Sequence, residues 1–166
     1  MGMANYASFI PESISFRGVD LGDIIENITI DLGADEKLIK AVNRGNENVG
    51  VLHKGFAPII IVTLLEPAKS TAIRDAIFPK LSSAGVLDGS AIEPGHMSSN
   101  DSSIYGTLIV TPAKQGATIW TFPKAVPSWK NMREWVFDDE EFKLKIPFNA
   151  IYDEATSRSF ITSNKA

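Results

Sequence analysis

Apolar and polar residues alternate at every second position over much of this chain. Ile28, Ile30 and Leu32 are separated by Thr29 and Asp31; Phe142, Leu144, Ile146, Phe148 and Ala150 are separated by Lys143, Lys145, Pro147 and Asn149. A period of two describes a strand with one buried face and one wet face. Pro147 has no N–H to give to a ladder, so its strand is an edge, is bulged, or is unpaired at that point. Residues 104–111 and 117–122 are rich in β-branched and aromatic side chains and flank Pro112-Ala113-Lys114-Gln115-Gly116. That segment reads as a hairpin connection in which Gly116 supplies a positive φ. Residues 59–65 are almost continuously apolar, which predicts a strand covered on both faces.

One segment has helical spacing instead. Ile73, Ile77 and Leu81 recur at i, i+4 and i+8, with Ser70 or Thr71 in position to cap, which predicts a helix over 70–82. Pro79 breaks its hydrogen-bond ladder, so the helix is short, kinked or ends near Phe78. A further helical turn is suggested over 128–132. Two long polar connections stand apart: 33–55, with Asn43-Arg44-Gly45-Asn46-Glu47-Asn48 as the turn at its tip, and 88–103. Loops of more than about a dozen residues in a compact domain usually serve a function or lack order. The expected fold is mainly β: an antiparallel β-sandwich or half-barrel with one flanking α-helix and long loops.

Composition narrows the chemistry. The chain has 166 residues, enough for one domain with its own core. It has no cysteine, which excludes disulfides, thiolate metal sites and a cysteine nucleophile, and only two histidines, His53 and His96. The net charge of −4 lacks the basic footprint of a dedicated nucleic-acid binder. The first residues lack a basic segment followed by a long apolar stretch, so no secretory signal is expected. Tyr6 stands where a myristoylation motif needs Ser or Thr. No apolar run is long enough to span a bilayer. The sequons at Asn27 and Asn100 carry no meaning without a secretory route, and the expected place of synthesis and folding is a cytosol.

Candidate sites fare poorly. His96 lies near Ser98, Ser99, Asp101 and Ser102. Triads, however, are assembled on rigid scaffolds with an oxyanion hole, and a solvated loop is the plainer reading. His53 reads as a single surface histidine. Asp138-Asp139-Glu140-Glu141 lacks the spacing that wraps a calcium ion and reads as an acidic turn. The glycines near 18–22 and 45–50 follow no phosphate-binding pattern. Trp120 is assigned to core or interface packing, while Trp129 and Trp135 leave a sugar-binding reading open. No enzyme activity, cofactor or metal is expected. What remains is edges: amphipathic strands and apolar termini (Tyr6, Phe9, Ile10; Phe160, Ile161) invite pairing with another chain, and closure into a ring removes that liability.

The order of segments resembles the major tail tube proteins of long-tailed bacteriophages. Ile24-Ile25-Glu26-Asn27-Ile28-Thr29-Ile30, a polar excursion, then Phe56-Ala57-Pro58-Ile59-Ile60-Ile61-Val62-Thr63-Leu64-Leu65 look like the family's first strands and intervening long loop. Thr107-Leu108-Ile109-Val110-Thr111-Pro112 and Trp120-Thr121-Phe122-Pro123-Lys124-Ala125-Val126-Pro127 look like its central hairpin and following segment. Ile146-Pro147-Phe148-Asn149-Ala150-Ile151-Tyr152-Asp153-Glu154 is similar to its closing strand.

The resemblance implies a single domain over 1–166 with an N-terminal arm (1–12) and a long inter-ring stacking loop (33–55). That loop would use Asp35, Lys37, Leu38, Asn43, Arg44 and Asn46. Tyr6, Phe9, Ile10, Phe160 and Ile161 would form the subunit interface, and the helix would pack outside the sheet. The expected function is structural. Six copies form a ring, and rings stack into a tube through which DNA passes without sequence-specific binding. The tube would form in the host cytoplasm and reside in the virion. Partners would be further copies, the tape measure, the baseplate and, in a contractile tail, the sheath; no cofactor or membrane is involved. Six chains at −4 each give −24 per ring, compatible with a lumen that does not hold phosphates. The alternatives are a related tail component (baseplate hub or tail terminator), a carbohydrate-binding β-sandwich, and a small hydrolase built on His96.

Overall fold

The computed structural model describes residues 11–22, 24, 27–65, 71–77, 82–83, 86–87, 104–128, 136–137 and 142–166. The chain is mainly β. Its antiparallel main sheet runs β2 (Val19–Asp20), β1 (Pro11–Phe16), β9 (Gly106–Pro112), β10 (Thr118–Pro127), β12 (Phe142–Ala150), β6 (Ile59–Leu65) and β3 (Thr29–Asp31). β11 (Val136–Phe137) also pairs with β12, and β13 (Ile161–Asn164) with β10.

The ten-residue β10 is where this sheet folds over. Its first half pairs with β9 on one side and β13 on the other, whereas its last three residues pair with β12. The β9 register shifts between Phe122 and Ala125, across Pro123, which cannot donate a ladder bond. An extra residue bends a strand and raises its twist. The result is two leaves whose inner faces meet. Phe16 of β1 and Phe148 of β12 are three strand positions apart, about 14 Å in a flat sheet. Their ring centroids lie 5.0 Å apart. Ile14, Leu108, Phe122, Ile60, Val62, Leu64, Leu144 and Ile146 complete one continuous buried core. Each such side chain contributes about 1.5–3 kcal/mol by leaving water.

Several expected elements stand where the pattern placed them. The β9–β10 hairpin closes through Ala113–Ala117 with Gly116 at φ 75. Leu144, Ile146 and Phe148 are buried while Lys145 and Asn149 are exposed. Pro147 lies just past the point where β10 leaves β12, and its carbonyl accepts from the Ser128 amide at 2.8 Å. Its missing N–H therefore faces the side that carries no ladder at that position. Of β6, the even-numbered face is fully buried, but Ile59 is exposed and Ile61 and Leu65 half-buried, so only one face is closed throughout.

Two expectations are corrected. The helix α1 spans Thr71–Ile77, not 70–82: Ser82–Ser83 is a short strand (β7) paired with Val86–Leu87 (β8). A helix that reached Ser82 would have to carry Pro79 in its interior. The face bearing Ile73, Ala76 and Ile77 packs against the core beside Leu21. Pro11 and Glu12 belong to β1 rather than to a separate N-terminal arm. The predicted turn at 128–132 (beyond Ser128), the 88–103 connection, the 138–141 run, Ser70, Leu81, His96, Trp129 and Trp135 lie outside the described residues.

Candidate functional site

The 33–55 excursion is not a loop. Ala34–Ala41 (β4) and Glu47–Phe56 (β5) pair as a two-stranded antiparallel hairpin, separate from the main sheet. The reversal falls at the Asn/Gly-rich segment, as the sequence implies. A 3-10 turn over Val42–Arg44 leads into Gly45 and Asn46, both left-handed at φ 69 and φ 63. Gly tolerates that region without a Cβ penalty and Asn more readily than most residues.

At the base, the Gly33 amide donates to Asp31 Oδ1 at 2.9 Å and the Ala57 amide to the Gly33 carbonyl at 3.2 Å. Gly33 has φ 56, and a Cβ there would stand 2.4 Å from the Ala57 carbonyl oxygen. Only glycine lets the two chains meet at this neck. Phe56 then packs on Phe160, next to the C-terminal strand.

Beyond the neck the arm touches little of its own chain. Among its residues only Ala41 and Gly50 are half-buried; the rest are exposed. Leu38, Ile39, Val42, Val49, Val51 and Leu52 are large apolar side chains between 44% and 85% exposed. In register, Leu38 opposes Val51, and Leu52 opposes Lys37 on the other face. Apolar groups therefore stand on both faces. Toward the base sit two exposed polar contacts, His53 Nδ1 with Glu36 Oε1 at 2.8 Å and the ion pair of Lys54 Nζ with Asp35 Oδ2 at 3.4 Å. Exposed pairs of this kind contribute about 0–1 kcal/mol. An isolated two-stranded hairpin is marginal in water and its edges are templates for association.

A second feature lies at the mouth of the sandwich. An apolar cavity of about 180 Å³ opens between Ile28 and Ile30 on the β3 side, Val110 and Pro112 of β9, Trp120 of β10, and Pro11. Trp120 is half-buried and stacks on Phe122 at 6.3 Å, confirming its packing role. At the same end Lys165 Nζ pairs with Glu12 and donates to the Pro112 carbonyl at 2.9 Å. It ties the last residues to β1 and to the hairpin turn.

All six expected stacking residues, Asp35, Lys37, Leu38, Asn43, Arg44 and Asn46, fall on the arm and are exposed. Of the expected interface set, only Phe160 and Ile161 are described. Tyr6, Phe9 and Ile10 lie outside the described residues. Phe160 is half-buried against Phe56, Trp120 and Phe122 of its own chain, and Ile161 opens β13 opposite Thr121. His53 is exposed, as expected, and stands within β5 beside Glu36. Sequence reasoning missed Val42, Val51, Leu52 and Phe56. Folding the segment about its Asn43–Asn48 turn would have paired Leu38 near Val51.

Among the described residues, no three His, Asp or Glu side chains gather as a metal site. Among them, no helix is long and apolar enough to cross a membrane. Compared with known proteins, the chain matches no family model and no curated sequence.

Proposed function

We propose that this chain is a structural subunit that assembles with copies of itself, as a building block of a phage-type tail tube. Its arm would join one ring of six to the next. The observation that carries this reading is the arm: a two-stranded hairpin projecting from the sandwich with apolar side chains exposed on both faces. A segment about 27 Å long, at 3.4 Å per residue over β4, makes sense when another molecule covers it. Among the described residues the main sheet ends at β2 and β3, edges whose lateral contacts a ring would satisfy. The work of such a subunit is mechanical. Neutral hydroxyl side chains on the outer face of β1 and β9 (Ser13, Ser15, Thr107, Thr111) would offer passing DNA no row of cations to hold it.

The arm tests the reading. Replacing the paired segment Lys37–Leu52 with Asn-Gly keeps Gly33, Ala57 and the Phe56–Phe160 contact intact. The shortened chain should retain its circular dichroism in the main sheet and form rings that do not stack. Tubes of normal length from that variant would contradict the role given to the arm. Full-length rings that never stack would instead favour a tail terminator or baseplate hub.

A further inference from the structure

We propose that the apolar cavity at the sandwich mouth receives the ring of Phe9 from the same chain, so that the N-terminal segment closes its own core. The described chain begins at Pro11, and Pro11 itself stands on the cavity wall. Phe9 is two residues away, so its Cα lies within about 7 Å of Pro11 whatever path the chain takes.

The side on which Phe9 falls follows from a bulge. Ile14 and Phe16 of β1 are buried, and simple alternation would aim Glu12 and Ile10 inward with them. The register with β9 shifts first: Ser13 opposes Thr111, whereas Pro11 opposes Pro112. One extra residue on β1 re-aims the side chains ahead of it. Pro11 therefore shares the cavity wall with Val110 and Pro112, while Glu12 is exposed and tied to Lys165. A residue that precedes proline is held extended, which applies to Ile10. Counting back by two from Pro11 then puts Phe9 on the cavity side and Ile10 on the outer side.

Size and chemistry agree. The cavity holds about 180 Å³ and is lined by Ile28, Ile30, Val110 and the half-buried Trp120. Apolar cavities of about 150 Å³ take up benzene, the ring that phenylalanine carries. Trp120 offers that ring an aromatic partner, and aromatic pairs add to the gain from leaving water. The C-terminal residues reach the same rim, where Lys165 contacts Glu12 and the Pro112 carbonyl. Residues 162–166 have no large apolar side chain to offer, so the filler comes from the N-terminal side. A tether this short holds Phe9 at an effective concentration in roughly the millimolar range, ahead of a free copy. Phe9 thereby leaves the subunit-interface set that the resemblance implies, and the inference stands without the tube reading.

The absence of cysteine gives a clean test. Thr118 is an exposed residue on the cavity rim. In the full-length F9C/T118C variant, mild oxidation of a dilute sample should join the two thiols within one chain. Mass spectrometry should read both thiols lost at monomer mass, independent of protein concentration. I10C/T118C should close about tenfold more slowly, because Cβ vectors that point apart resist bridging. Equal closure of the two variants, or none in F9C/T118C, would overturn the proposal. Disulfide-linked dimers and higher species in place of the closed monomer would assign the ring to a second copy and overturn it too. Phe9→Ala is the independent check, since it empties the cavity without a crosslink. Benzene should raise the thermal midpoint of Phe9→Ala and leave wild type and Ile10→Ala unmoved. No shift in Phe9→Ala, or an equal shift in wild type, would contradict the assignment.

Discussion

Phe56, the last residue of the arm, meets Phe160, the residue before β13, edge to face, with ring centroids 5.5 Å apart and planes at 83°. Phe160 in turn contacts Trp120 at 5.8 Å and Phe122 at 6.5 Å. Phe122 is fully buried, so a line of aromatic rings runs from the exposed arm into the core. The arm's direction is set by this line and by the Gly33–Ala57 neck together.

Phe160→Ala removes the middle of that line. The lost buried area and ring pairs should cost about 2–3 kcal/mol, read as a lower urea midpoint with an unchanged slope. Amide exchange at Ala57 should rise in parallel. An unchanged midpoint would mean the rings guide nothing.

Gly33→Ala combines a left-handed backbone with a Cβ placed 2.4 Å from the Ala57 carbonyl oxygen. Gly45→Ala, at φ 69 with nothing within 4 Å, carries the backbone penalty alone. The second should cost about 1 kcal/mol and the first clearly more, because a carbonyl must also move. Equal losses in thermal or urea denaturation would show that the neck yields freely.

Asp153 has a carboxyl held below the usual aspartate range, first by the Thr156 hydroxyl at 2.7 Å. The Thr156 amide at 3.1 Å and Lys124 act in the same direction. A carboxylate whose folded pKa is depressed contributes stability above its unfolded pKa and loses it as pH falls through the folded value. The wild-type chain should therefore lose more stability than Asp153→Asn on acidification across that interval. A carboxyl carbon titration by NMR should place the Asp153 midpoint below that of a free aspartate. A midpoint at or above the free value would contradict the Thr156 contact.

How much was legible follows from where each face ends up. Strands β3 and β12 were legible from a period of two, β6 from its apolar run, and β9 and β10 from β-branched and aromatic residues, because each turns apolar side chains toward the core of this chain. The β1–β2 hairpin was harder. In β1 Ile14 and Phe16 are the buried residues, between Ser13, Ser15 and a two-residue Arg17-Gly18 turn at φ 54 and φ 76. That pair of positive φ values is the primed turn a hairpin favours, and Arg-Gly is a weaker signal for it than Asn-Gly. β13, Ile161-Thr162-Ser163-Asn164, is polar and held by its ladder to β10, which leaves no hydrophobic trace. The arm strands lack alternation for a related reason: no face of Asp35-Glu36-Lys37-Leu38-Ile39-Lys40 is buried within the chain. Their tip was readable from local turn chemistry alone. In α1, the 3.6 period identified the Ile73–Ile77 face but not what that face meets. The cavity was out of reach, since Ile30 and Trp120 come together only through the fold of β10.

The most direct test of a self-assembling tube subunit is negative-stain electron microscopy of the purified chain across concentration and salt. Stacked hollow rings of uniform width, six-fold in end view, are the expected result. Dispersed particles of the 18.1 kDa monomer under every condition would contradict it.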